Sequence, residues 1–152
     1  MHSIKNYKLI LASASPRRQQ LMKDAGFTFE VRLKNVEEKY PQELHLENVP
    51  EYLSKVKASA FREELKADEV LITADTVVCI HDRILGKPAD RKEAISMLQK
   101  LSGNRHLVVT GVSVTTRTEQ LSFSSRTDVF FKHLSNEEIE FYVDTYKPFD
   151  KA

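Results

Sequence analysis

Residues 8–18 read KLILASASPRR. The apolar run from Lys8 to Ala12 is too short for a helix and is bounded by Ser and Pro, so it is expected to be a short buried strand. Ser15 is then placed as a helix N-cap with Pro16 at the first helical position. Arg18, Leu21, Met22 and Ala25 recur at helical spacing until Gly26 ends the run. A strand that runs straight into a helix N-terminus opens an α/β unit.

Phe27 to Leu33 (FTFEVRL) alternates and is rich in β-formers, which predicts a second strand followed by a polar loop from Asn35 to Gln42. Val49, Leu53, Val56 and Ala60 lie one helical turn apart, predicting an amphipathic helix from about Val49 to Leu65 capped by Asn48. Val70 to Ile80 (VLITADTVVCI) is apolar apart from Thr73, Asp75 and Thr76 and reads as a buried strand that carries a charge. His81 to Lys87 turns the chain. Asp90 and Glu93 form a capping box for a helix ending at Ser102-Gly103. His106 to Thr116 and Gln120 to Phe131, separated by Arg117-Thr118-Glu119, predict a long antiparallel hairpin. Ser135 and Glu138 form a second capping box for a helix through Val143, with Ile139, Tyr142 and Val143 facing inward. Alternating strands and helices imply parallel strands with helical crossovers. The expected fold is α/β, a mixed twisted sheet with helical crossovers and a long antiparallel hairpin.

With 152 residues, 41% of them apolar, the chain can bury a core as one domain spanning 1–152. No apolar run approaches the roughly 20 residues that a membrane crossing needs. Lys plus Arg number 23 against 22 Asp plus Glu, a net charge of +1, so no global field draws the chain toward nucleic acid or an anionic membrane. Any anion site must be local. The single cysteine, Cys79, excludes an internal disulfide and is expected to be a buried inert thiol. With no charged segment followed by an apolar stretch at the N-terminus, a cytoplasmic location is expected.

If the strands ending near Ala12, Leu33 and Ala74 are parallel, their carboxyl ends share one sheet edge, and Ser13, Glu37 and Asp75 meet there. Ser13-Ala14-Ser15-Pro16-Arg17-Arg18 brings hydroxyls, backbone N–H groups and two guanidiniums to a helix N-terminus, which is anion-binding chemistry. Its bland alternative is an ordinary capped helix with two solvated arginines. Neither a P-loop nor a dinucleotide fingerprint occurs. Asp75 in an apolar strand needs a partner or a task, because an unpaired buried carboxylate costs several kcal/mol. It reads as a metal ligand, as a general base toward water, or as a structural strand-end cap. Glu37 and Glu38 are otherwise loop residues in solvent. Lys57 borders the apolar stripe of its helix, where a lysine can simply snorkel. Lys87 follows Gly86 and precedes Pro88 in a turn, and the five histidines lack the spacing of a zinc site.

Taken in order, Ser13-Ala14-Ser15-Pro16-Arg17-Arg18, Glu37, Lys57-Ala58, Ala74-Asp75-Thr76-Val77-Val78, Gly86-Lys87-Pro88, Leu101-Ser102-Gly103 through His106, and Thr127-Asp128-Val129-Phe130-Phe131 resemble the Maf family along essentially the whole chain. The resemblance implies two lobes around a central cleft and hydrolysis of a nucleoside triphosphate between its α and β phosphates, with Mg2+ or Mn2+ as the divalent cation. Asp75 falls at the family's proton-acceptor position, and Ser13, Ser15, Arg17, Arg18, Lys57 and Lys87 fall around the phosphates. Glu37 is matched to an acidic position beside the metal, with Asp75 as the second metal ligand. Arg17 and Thr76 match positions linked to base choice, which implies dTTP and UTP as substrates. A homodimer is implied, with no nucleic-acid or membrane partner. Family members continue past the Asp150-Lys151-Ala152 motif through a Gly-Ala-Tyr-Gly-type segment, so the C-terminal part of the family fold is expected to be absent here. The alternative function is a nucleotide-binding regulator of cell division without turnover.

Overall fold

The computed structural model describes residues 6–147. The Asp150-Lys151-Ala152 motif lies outside the described residues. In chain order the elements are β1 (Lys8–Leu11), α1 (Pro16–Asp24), β2 (Phe29–Val31), α2 (Val49–Ser59), β3 (Glu69–Ile80), β4 (Arg83–Leu85), α3 (Arg91–Leu101), β5 (Arg105–Thr115), β6 (Gln120–Phe130) and α4 (Asn136–Tyr146). The strands form one mixed sheet in the order β2-β1-β3-β5-β6, with β4 paired to β3. β1 runs parallel to both β2 and β3, with Leu11 opposite Val31 on one side and Ile72 on the other. The expected α/β fold and parallel crossovers are therefore present. β5 and β6 form the expected hairpin, closed by Thr116 N–H to the Glu119 carbonyl at 2.8 Å and, at its far end, by Phe131 N–H to the Asn104 carbonyl at 3.1 Å.

The chain divides into two compact units, one up to Asp75 together with Thr110–Ser124 and the other Thr76–Val109 together with the chain from Ser125 onward. The first unit has a core of Ile10, Ala58, Phe61, Leu65 and Leu71, with Ala12 packed against it. Burying a side chain such as Ile10 or Leu71 contributes about 1.5–3 kcal/mol, so this patch fixes α2 over β1 and β3. The second unit gathers Val78, Ile80 and Leu85 with Leu101 and Val108. In that unit α3 packs on α4. No described helix is long and apolar enough to cross a membrane.

Helix ends follow the sequence closely where side chains cap them. Ser15 accepts from Arg18 N–H at 3.3 Å, Asp90 from Glu93 N–H at 2.8 Å, and Ser135 with Glu138 completes a reciprocal capping box. Five expectations change. Asn48 does not cap α2, because it ends a 3-10 turn, Leu46–Asn48, in helical backbone geometry, and a cap needs an extended residue. α2 stops at Ser59 rather than continuing to Leu65, and a separate 3-10 turn, Arg62–Glu64, follows. Tyr142 is exposed, its ring tilted against that of Tyr146 one turn along with centroids 5.2 Å apart, while Ile139 and Val143 carry the burial. Cys79 is half-buried rather than buried. The segment expected only to turn the chain contains β4: His81 and Asp82 take φ of 49° and 60°, the left-handed pair of a tight hairpin.

Candidate active site

β1 ends at Leu11, opposite Ile72, and its last ladder bond runs from Ala12 N–H to the Ile72 carbonyl at 3.0 Å. Carbonyls two apart on a strand point the same way. The Ala74 carbonyl therefore points past the end of β1, where no strand remains to pair with it. Two cations take it instead: Arg18 Nη1 and Lys57 Nζ each donate to it at 3.1 Å. Arg18 stands in the first turn of α1 and Lys57 in the last turn of α2, so the end of one strand draws both helices to a single point.

Asp75 is the next residue of β3 and is 9% exposed. Its Oδ1 accepts from Lys57 Nζ at 3.0 Å, and the same ammonium lies 3.3 Å from Glu38 Oε1. Burial raises the Asp75 carboxyl above the usual aspartate range. Lys57 opposes the rise, Glu38 adds to it, and Arg18 makes the smallest opposing contribution. Burial likewise lowers the Arg18 guanidinium, against the pull of Asp75 and Glu38. The cluster is thus a carboxyl raised by burial beside a shared ammonium and a partly desolvated guanidinium, an environment that characterises functional acids and bases.

The expected residues divide. Ser13, Ser15, Arg18, Lys57 and Asp75 stand together in the first unit. Ser13 is buried, its Oγ accepts from Ser15 N–H at 3.2 Å, and its carbonyl accepts from Gln19 Nε2 at 3.0 Å, so the turn entering α1 is tied to the helix. Arg17 is exposed on α1. Glu37 is also exposed, paired with Lys39 at 2.8 Å, and does not join Asp75. Its neighbour Glu38 does so through Lys57. The sequence offered no signal to choose between them, since both are exposed loop residues and no periodicity says which carboxylate meets Lys57. Thr76 and Lys87 belong to the second unit: Thr76 is half-buried on β3, on the opposite strand face from its neighbour Asp75, and Lys87 is exposed after β4.

The donor set decides what cation this cluster can hold. No group of three or more His, Cys, Asp or Glu gathers among the described residues. Asp75 and Glu38 instead bring two hard carboxylates to Lys57 Nζ, at 3.0 and 3.3 Å. That pattern fits a small hard divalent ion held by one or two carboxylates, waters and substrate phosphates rather than by a full protein cage.

A family model described as Maf-like protein matches residues 8–152. A protein of Phocaeicola vulgatus named dTTP/UTP pyrophosphatase is 46% identical over 100% of this chain and 79% of its own length. A Bacteroides thetaiotaomicron protein of the same name is 48% identical over 99% of this chain and 78% of its own. Among solved structures, the Staphylococcus aureus Ham1 protein matches with a TM-score of 0.59 at 16% identity, over 81% of this chain and 71% of that one, a likeness of fold alone. The match along nearly the whole sequence, together with relatives approaching half identity, means that this chain belongs to the Maf-like protein family.

Proposed function

We propose that this protein hydrolyses the α–β phosphoanhydride of nucleoside triphosphates, dTTP and UTP foremost, to a nucleoside monophosphate and pyrophosphate. The observation that carries the reading is the buried Asp75 carboxyl, 3.0 Å from Lys57 and adjacent to the carbonyl that Arg18 and Lys57 share. The relatives named dTTP/UTP pyrophosphatase supply the substrate class.

In this reading the triphosphate lies at the α1 N-terminus, where Ser13, Ser15, Arg17 and Arg18 collect N–H, hydroxyl and guanidinium donors. Asp75 accepts the proton of the attacking water as the new P–O bond forms, and the bond to the bridging oxygen breaks with pyrophosphate as leaving group. Lys57 steadies the Asp75 carboxylate before transfer and faces the growing negative charge afterward. Lys87 is assigned to the phosphates, and Arg17 and Thr76 to the choice of base. A divalent cation, Mg2+ or Mn2+, would be held by Asp75 and Glu38 and would neutralise phosphate charge. Glu38 replaces Glu37 in that role because Glu37 is turned to Lys39.

A panel of triphosphates incubated with the protein and Mg2+ or Mn2+, with products separated, tests the assignment. The expected products are dTMP or UMP with pyrophosphate, lost in Asp75→Asn. Orthophosphate as the sole released phosphate, or equal turnover in Asp75→Asn, would refute it.

A further inference from the structure

Thr73 lies on β3 two residues before Asp75, on the same strand face, and has no exposed surface. Its hydroxyl donates to the Ser54 carbonyl at 2.6 Å. Valine has the same shape and an equal liking for strands, so the hydroxyl serves the bond rather than the strand. Ser54 stands one turn before Lys57 and Ala58 on α2. Thr73 therefore grips the helical turn that carries Lys57, while the Lys57 ammonium reaches forward to Ala74 and Asp75 of the same strand.

The same turn of α2 is also held by a line of hydroxyls. Ser54 Oγ donates to the Glu51 carbonyl at 2.7 Å and also lies 2.7 Å from Ser113 Oγ on β5, which lies 2.7 Å from Ser122 Oγ on β6. Each hydroxyl has one proton, so the direction is fixed. Ser54 donates to Glu51, Ser113 to Ser54, and Ser122 to Ser113. Gly111, two residues before Ser113 on β5, lets the helix come this close: a Cβ there would fall 2.1 Å from the Glu51 nitrogen.

We propose that Thr73 is a positioning residue, whose hydroxyl, backed by the Ser54–Ser113–Ser122 chain, sets α2 so that Lys57 meets the Ala74 carbonyl and the Asp75 carboxylate. The kinetic consequence rests on the pyrophosphatase reading; the placement of Lys57 does not. The test uses the full chain with Thr73→Val and Thr73→Ser, measuring triphosphate turnover and the Lys57 ammonium resonance by 15N NMR, assigned by its loss in Lys57→Met. Displacing a reacting group by a fraction of an ångström is expected to lower kcat about 10-fold in Thr73→Val while KM stays within about twofold. Thr73→Ser restores kcat, and the ammonium signal persists in wild type and Thr73→Ser but is lost to exchange in Thr73→Val. Should Thr73→Val not fold, Ser113→Ala probes the same clamp from β5, with a loss of kcat at unchanged KM. Wild-type kcat and signal in Thr73→Val, no rescue by Ser, or no protected Lys57 signal in wild type would overturn the proposal. If wild type lacks pyrophosphatase activity, the functional reading fails while the resonance still decides the positioning.

Discussion

Two acids of β3 show what burial does to a carboxyl. Glu69, 1% exposed, accepts from Arg32 Nη2 at 2.5 Å and from Lys66 N–H at 2.8 Å, and these bonds hold it well below the usual glutamate range. Asp75 has a single ammonium that it shares with Glu38 and a carbonyl, so desolvation wins and its carboxyl rises. Glu69 is held as an anion by its donors, whereas burial raises the proton affinity of Asp75. A raised carboxyl binds more protons folded than unfolded, so its contribution to stability declines as pH climbs through the ordinary carboxylate range. Asp75→Asn removes that cost. The expected result is turnover reduced by at least about 100-fold with a melting temperature at neutral pH no lower than wild type, read by product assay and calorimetry. A marked drop in melting temperature would make Asp75 a structural anchor instead. Its loop partner gives a sharper contrast: Glu38→Gln should lower turnover while Glu37→Gln leaves it within about twofold, because Glu37 lies in solvent beside Lys39.

At the scale of elements, legibility followed the range of the interaction that decides each feature. Ser15, Asp90 and Ser135 cap within three residues of themselves, and all three helix starts were readable. Asn48 has the right side chain, but its backbone is set by the preceding 3-10 turn, which no local preference announced. Asp75 stood out because a charge in an apolar run is a local anomaly. Glu38 did not, since its role depends on where a loop meets an ammonium on α2. Gly111 is the extreme case, an unremarkable strand glycine whose necessity lies in Pro50 and Glu51 some sixty positions away in sequence. Because those neighbours are backbone atoms, Gly111→Ala must shift β5 from α2 and is expected to cost at least about 2–3 kcal/mol, seen as a lower urea midpoint. In the β3–β4 hairpin the direction reverses. His81 and Asp82 are strained at positive φ, and replacing them with Asn-Gly should stabilise by about 0.5–1 kcal/mol.

For the molecule as a whole, a net charge of +1 hides strong local pairing, and the acid response exposes it. Glu30, Glu69, Glu138 and Asp144 are all held below their ordinary range, chiefly by hydrogen bonds from Arg32, Arg32, Lys132 and Arg91 respectively, while burial raises Asp75. A depressed carboxyl stabilises the fold above its unfolded value and loses that contribution as pH falls toward its folded one. Stability should therefore decline on acidification through and below about pH 4.3, the ordinary glutamate value. Glu30, Glu138 and Asp144 lie toward solvent and contribute little individually. The Arg32–Glu69 pair matters most, because taking away Arg32 strands a charge inside the first unit, at the start of the strand that carries Asp75. Arg32→Met is expected to lower the urea midpoint at pH 7, because the buried Glu69 carboxylate loses its guanidinium partner. The deficit should shrink as pH falls below the ordinary glutamate range toward the lowered one at which wild-type Glu69 also takes up its proton. Urea unfolding at a series of pH values measures it, and a deficit that stays constant with pH would assign the role of Arg32 to packing rather than to charge.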